Sequence, residues 1–135
     1  MFVYRRIIRF ADTDAAGVVY FASLLAICHE AYEEMLRQAG IKLDYFFGNE
    51  NLAIPIIHAE IDFFKPLFVG DLITIKTRFN RVSEKVFEIK YFVEKETEEV
   101  AVALTRHIGI QPQTRETVKI PDFILEIGNK INGNC

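Results

Sequence analysis

The chain has 135 residues, half of them hydrophobic, with 12 Phe and a formal net charge of −3. A chain of this size hides roughly two thirds of its unfolded surface, and an apolar content this high excludes an intrinsically disordered protein. The small negative charge gives no electrostatic reason for a nucleic-acid or anionic-membrane partner, and no run approaches the ~18 apolar residues that a membrane-spanning helix needs.

One domain over residues 1–135 is expected. Cys28 falls inside a helical pattern and Cys135 is the last residue, so no disulfide framework is read. That usage suits a reducing compartment. The segment Met1-Phe2-Val3-Tyr4-Arg5-Arg6 has no basic stretch followed by a long apolar run, so no signal peptide is read and a cytoplasmic location is expected.

Residues 2–10 predict a first strand, with Phe2, Val3, Tyr4, Ile7, Ile8 and Phe10 supplying β-favouring types. From about Ala22 to Ala39 the period becomes helical. Leu24, Leu25, Cys28, Ala31, Tyr32, Met35, Leu36 and Ala39 follow the three-and-four spacing, and Gly40 supplies a stop. Residues 41–51 read as a loop with a turn signal at Gly48-Asn49. In 53–64 Ala53, Pro55, Ile57, Ala59, Ile61 and Phe63 alternate with His58, Glu60 and Asp62, which predicts a half-buried strand. Lys65-Pro66 and Gly70-Asp71 interrupt the pattern. Ile73, Ile75, Thr77 and Phe79 then define one strand face in 72–82, and Phe87, Ile89, Tyr91 and Val93 another in 85–95. Ser83-Glu84 and Glu96-Thr97-Glu98-Glu99 read as the turns that follow. The nearly all-apolar run 100–110 predicts a central strand. Phe123, Ile124 and Ile127 suggest a short last helix, and the tail from Gly128 is expected to fray. The short connections favour an antiparallel meander packed on the long helix.

The stretch Asp12-Thr13-Asp14-Ala15-Ala16-Gly17-Val18-Val19-Tyr20-Phe21 sits between the first strand and that helix. Aspartates there suit an ordinary turn or helix cap, and Asp12 is read as shaping the turn. A calcium loop starting at Asp12 fails, because its fifth position is Ala16 and its twelfth Ser23. Asp14 has a second reading. A carboxylate beside a helix N-terminus puts an attacking or proton-accepting group near several free backbone N–H donors. That pairing can stabilise an oxyanion, which points to acyl transfer to water. Gly17 is either a turn glycine or a place where a substrate approaches the backbone closely.

The string D-T-D-A-A-G-V-V-Y-F, followed by an apolar helix, resembles the signature of the hotdog-fold acyl-CoA thioesterases, the 4-hydroxybenzoyl-CoA thioesterase group and its relatives. The order of elements matches over about residues 2–112. The resemblance implies an α+β hotdog, a five-stranded antiparallel sheet wrapped around one long central helix. It implies that Asp14 is the catalytic carboxylate, as nucleophile or general base, and that the Phe21 backbone N–H polarises the thioester carbonyl. Gly17 and Tyr20 enter as substrate-binding positions of the same motif. Many Tol–Pal-associated members carry His where this chain has Phe21, so no imidazole acts there and an aromatic acyl group is favoured. C-H-E-A-Y-E at Cys28–Glu33 and P-I-I-H-A-E-I-D-F-F-K-P at Pro55–Pro66 are similar to the cyanobacterial 1,4-dihydroxy-2-naphthoyl-CoA thioesterases, on the route to phylloquinone. The implied partners are an aromatic acyl-CoA and a second copy of the chain, in a homodimer or dimer of dimers with a continuous sheet. No metal or redox cofactor is required, coenzyme A being part of the substrate.

Other residues divide between ordinary and functional readings. Cys28 is read as core, since it and His29 point about 100° apart on a helix. Glu30 lies roughly 13 Å along the helix from Phe21 and is read as part of a solvated or hydrogen-bonded face. His58, beside Glu60 and Asp62, is either a histidine at a subunit contact or a reader of a substrate hydroxyl. Arg81 and Lys85 flank one hairpin turn and are candidates, with Arg78, Lys90 and Arg106, for the coenzyme A phosphates. Two rival functions share the scaffold: a general short-chain or aromatic acyl-CoA thioesterase, and a non-catalytic acyl-CoA-binding hotdog protein. A positioned Asp14 argues against the second. A hotdog dehydratase lacks its usual catalytic histidine here.

Overall fold

The computed structural model describes residues 1–48 and 50–132. Five strands form one sheet: β1 (Phe2–Ile7), β2 (Ile56–Phe63), β3 (Leu72–Arg81), β4 (Val86–Lys95) and β5 (Glu98–Ile108). The helices are α1 (Phe21–Gln38), the short α2 (Leu43–Gly48) and α3 (Asp122–Ile131). All pairings are antiparallel, in the order β1-β3-β4-β5-β2.

Register explains the core. Ile75 lies opposite Val93, Thr77 opposite Tyr91 and Phe79 opposite Ile89, so the apolar alternations of β3 and β4 fall on one face. β5 adds Ala101, Ala103, Thr105 and His107 to it, all buried. Against this face α1 lays Leu24, Ile27, Cys28, Ala31, Tyr32, Met35 and Leu36. The helix ends as expected. Ala39 caps it, and Gly40 takes φ 89°, a left-handed conformation that glycine adopts without strain. α3 also packs on β3, so α1 shares the sheet with a second helix.

Several expectations change. The first strand ends at Ile7 rather than residue 10, because Asp12 Oδ2 accepts the Arg9 backbone N–H at 2.8 Å and winds Phe10–Asp12 into a 3₁₀ turn. The expected loop 41–51 contains α2; the Asn49 half of its turn signal lies outside the described residues. The meander holds only for β3-β4-β5. β2 pairs with β5, and β3 pairs with β1. After β2 the chain leaves the sheet, buries Leu67 and returns through Gly70, whose N–H bonds Ile8 O at 2.8 Å. Alternation identifies a strand but not its neighbour. The half-buried strand expected at 53–64 is an edge strand with one partner, and most of it is exposed, Ile57 at 52% and Phe64 at 57%. The turns fare better. Val82 N–H bonds Val86 O at 3.0 Å, and Glu96 and Thr97 take φ 51° and 69°, the left-handed pair that a tight hairpin needs.

The tail does not fray at Gly128. α3 continues to Ile131, and the Asn132 amide then pairs with the Phe79 backbone, accepting its N–H at 2.9 Å and donating to its carbonyl at 2.8 Å. Gly128 is where the helix touches the sheet: a Cβ there would lie 2.3 Å from Phe79 Cδ1. Phe79 is itself stacked on Phe87 at 4.9 Å and cannot step aside without unstacking. Gly128→Ala is expected to cost about 1–3 kcal/mol, read as a lower Tm. An unchanged Tm would mean that the ring yields freely.

His107 is fully buried on β5, stacked on Phe87 at 4.7 Å. Burial, with a smaller contribution from the nearby His29 charge, pushes its pKa down from 6.5 to about 3. The folded state therefore keeps His107 neutral where the unfolded chain protonates it. The unfolded state binds the extra proton between pH 6.5 and about 3, so stability falls as pH falls through that window. At pH 5 the loss relative to pH 7 is about 2 kcal/mol. Urea unfolding at both pH values checks this, with His107→Gln as the reference. The variant is expected to lose the slope above pH 5, where carboxylates contribute little. Equal slopes in both proteins would contradict it.

Candidate active site

Residues 13–19 form a small hairpin. Thr13 and Val19 make a bridge, the Asp14 N–H bonds Val18 O at 2.9 Å, and the Gly17 N–H bonds Asp14 O at 3.0 Å. Gly17 has φ 82°, which L side chains rarely adopt, and a Cβ there would meet nothing within 4 Å. In this chain its conformation, rather than close packing, calls for glycine. The hairpin is anchored to the crossing segment: Val18 bridges Phe68, and the Val19 N–H bonds Leu67 O at 2.9 Å.

Asp14 is exposed and oriented. Its Oδ1 accepts the Ala16 N–H at 2.8 Å and the Val18 N–H at 3.4 Å. The second carboxylate oxygen has no hydrogen bond among the described residues. One oxygen thus fixes the orientation of the group and the other keeps its lone pairs unengaged by the described residues. Asp12 does something different. It bonds Arg6 at 2.5 Å, and Arg6 in turn bonds Glu30 of α1 at 2.7 Å. Burial alone would raise the Asp12 pKa, but the bonds from Arg6 and the Arg9 N–H outweigh it and hold the carboxyl below its ordinary range. The turn-shaping role of Asp12 and the hydrogen-bonded face containing Glu30 are both seen. Arg6, which joins them across β1, carries no local sequence signal: its partners are 6 and 24 residues away.

The hairpin runs directly into α1. Tyr20 is the N-cap, with φ −95° and ψ 165° and no side-chain cap. The Leu24 N–H bonds Tyr20 O, so the N–H groups of Phe21, Ala22 and Ser23 precede the helical ladder. Their partial positive end lies one short strand from Asp14. Tyr20 and Phe21 are 45% and 61% exposed and meet edge-on at 6.4 Å. Beside them Val18, Val19, Phe63, Phe64, Lys65 and Pro66 line an open groove of about 320 Å³. Asp14, Gly17, Tyr20 and Phe21 are therefore brought together.

The other candidates are not. Arg81 and Lys85 sit at the far end of β3, nine residues and roughly 30 Å from Leu72. There the Arg81 side chain bonds Ser83 O at 3.3 Å and Lys85 Nζ bonds Thr117 Oγ1 at 3.0 Å. Arg106 pairs with Glu88 at 2.7 Å, and Lys90 lies over Phe92. His58 is 3.3 Å from Glu60 and opposite Arg106, toward the end of β2 away from Phe63. Cys28 is core, its thiol pushed up to about 12 by burial.

The chain is thus a single-sheet α+β domain that carries an oriented carboxylate and an uncapped helix start on one hairpin. The sequence profile of the thioesterase-like superfamily matches residues 8–128, and the chain belongs to that superfamily. A 1,4-dihydroxy-2-naphthoyl-CoA hydrolase from Gloeothece citriformis is 48% identical over 135 residues, covering 98% of this chain and 94% of the relative. The protein of that name from Crocosphaera subtropica is 51% identical, covering 87% of this chain and 88% of its own length. The crystal structure of a 1,4-dihydroxy-2-naphthoyl-CoA thioesterase from Synechocystis superposes with a TM-score of 0.89 at 33% identity, covering 94% of each chain. Among the described residues no helix is long and apolar enough to cross a membrane.

Proposed function

We propose that this chain hydrolyses 1,4-dihydroxy-2-naphthoyl-CoA to 1,4-dihydroxy-2-naphthoate and coenzyme A, a step toward phylloquinone. One observation carries the reading: relatives of that name align along nearly the whole chain at about half identity. The site geometry agrees with it. The thioester carbonyl oxygen is held by the Phe21 N–H at the start of α1, where negative charge develops as the carbonyl is attacked. The free oxygen of Asp14 either attacks the carbonyl carbon or takes a proton from the water that does. In the first case the C–S bond breaks to an acyl anhydride and thiolate, the thiolate takes a proton, and water opens the anhydride to restore the carboxylate. Phe21 and Tyr20 flank the aromatic ring, and Gly17 leaves the backbone open beside it.

The assembly belongs to the same reading. β2 has an unpaired edge carrying exposed Ile57 and Phe63, which a second β2 would cover by antiparallel pairing. The sheet would then be continuous, and α1 would be the helix it wraps. The two-fold also reverses the strand, bringing the far end of one subunit toward the Asp14 hairpin of the other. That is the one route by which His58, Arg81 or Lys85 reaches a site.

Thiol release from 1,4-dihydroxy-2-naphthoyl-CoA, benzoyl-CoA and a short aliphatic acyl-CoA tests the substrate. The naphthoyl ester is expected to lead in kcat/KM by about tenfold or more, a difference of ~1.4 kcal/mol. Equal turnover of all three would replace this reading with a general thioesterase. Binding without turnover of any would favour a non-catalytic acyl-CoA-binding protein.

A further inference from the structure

Arg6 of β1 holds two carboxylates at once. Its Nε and Nη2 donate to Glu30 Oε1 and Oε2 at 2.7 and 3.3 Å. Its Nη1 and Nη2 donate to Asp12 Oδ2 and Oδ1 at 2.5 and 3.3 Å. Two edges of one planar guanidinium are therefore in bidentate use, a geometry that a lysine ammonium cannot reproduce. The Arg6 and Asp12 side chains are each 14% exposed, so solvent screens this pair less than a surface pair. Tyr4 completes the cluster by donating its hydroxyl to Glu30 Oε1 at 3.1 Å.

The two carboxylates belong to the two parts whose relative position matters for the hydrolysis proposed above. Asp12 stands just before Asp14, and its Oδ2 also takes the Arg9 N–H, which closes the turn that feeds the hairpin. Glu30 stands roughly 13 Å along α1 from Phe21. The segment between Asp12 and Phe21 is thus fixed to α1 at both ends. At one end Tyr20 passes covalently into the helix; at the other Arg6 ties Asp12 to Glu30. Leu67 and Phe68 hold the second strand of the hairpin, at Val19 and Val18, and Arg6 holds the turn that leads into the first. Removing the guanidinium does more than loosen this turn. It leaves two carboxylates facing each other without their counter-charge, and they move apart.

We propose that Arg6 is a positioning residue for the hydrolysis, setting the Asp14 carboxylate against the Phe21 N–H without touching the thioester itself. The inference rests on the hydrolytic reading of the Asp14 hairpin and deepens it. Its mark falls on kcat. Misplacing a reacting group by about 1 Å costs up to on the order of 10²-fold in rate, while the bound ester keeps its contacts and KM holds. A residue that only stabilised the fold would lower Tm and the amount of active protein, and would leave kcat per folded molecule unchanged.

Arg6→Lys keeps the charge and loses the fork. It is expected to lower kcat for 1,4-dihydroxy-2-naphthoyl-CoA about 10- to 100-fold, with KM within about threefold of wild type. Glu30→Gln cuts the bridge at its α1 end, where the side chain is 40% exposed and the change is tolerated by the fold. Because both variants break one bridge, the double variant is expected to fall within about twofold of Arg6→Lys alone. Amide exchange reads the geometry without substrate. Asp12, Thr13 and Asp14 are expected to exchange about tenfold faster in Arg6→Lys, with Ile89 and Tyr91 of β4 unchanged. A wild-type kcat in Arg6→Lys, losses that multiply in the double variant, or unchanged exchange over residues 12–14 would each overturn the proposal. Should Arg6→Lys not fold, Glu30→Gln carries both measurements. A wild type that turns over none of the three esters fails the hydrolytic reading instead, and the exchange result then decides by itself whether Arg6 orders the hairpin.

Discussion

Asp14→Asn is expected to lower thiol release from 1,4-dihydroxy-2-naphthoyl-CoA by about 10²- to 10⁴-fold while substrate binding stays near wild type. The substitution is informative because of what it preserves. Oδ1 of Asp14 accepts the Ala16 and Val18 N–H groups, and an asparagine carbonyl oxygen accepts the same pair. The hairpin therefore keeps its shape. Only the second oxygen changes, from an anion with free lone pairs to an amide that donates. If Asp14 were merely a turn residue, Asn would serve equally well, since both residues favour such turns. Single-turnover kinetics with a separate binding measurement tells the cases apart. A rate within threefold of wild type would remove Asp14 from the chemistry. Asp14→Ala adds a second contrast: it also releases the two N–H groups, and is expected to lower Tm where Asn does not.

The sequence carried the parts of this fold that are governed by period. α1 was legible to within a residue at each end, because three-and-four spacing and a glycine stop are local signals. The buried faces of β3 and β4 were legible for the same reason. The half-buried face expected of β2 was not, because its alternation is real but it lies at the sheet edge with most of its residues exposed. The order β1-β3-β4-β5-β2 depends on the crossing segment around Leu67, whose partners are Val19 and, through Gly70, Ile8. No window of ten residues contains that information. The candidate site is readable in the sequence where its residues are contiguous. Asp14, Gly17, Tyr20 and Phe21 lie within eight positions, and the hairpin brings them together. Arg6 and His107 were missed because their roles arise from distant partners. For His107 a clue existed: a histidine two places after Thr105, and so on its strand face, follows the apolar run 100–104 and continues a face that begins with Ala101 and Ala103.

Phe21→Pro separates the backbone from the ring at the helix start, and is expected to cost about 10²-fold or more in kcat beyond the loss seen in Phe21→Ala. Both variants lose the aromatic side chain. Only proline also loses the N–H. In most helices such a swap would break the structure, but position 21 is the first residue of α1, where proline is favoured and no intrahelical bond is lost. The preceding residue is compatible as well. Proline pushes its neighbour toward extended backbone, and Tyr20 already sits at φ −95° and ψ 165°. The helix should therefore form with near-native stability, and far-UV circular dichroism with a Tm checks that it does. If the thioester carbonyl leans on this N–H as charge develops, the proline effect falls on kcat more than on KM, because the interaction strengthens in the transition state. If Phe21 contributes only its ring, Ala and Pro variants behave alike. A proline variant as active as the alanine one would move the oxyanion site to another donor, with Ala22 and Ser23 the next free N–H groups on the same helix end.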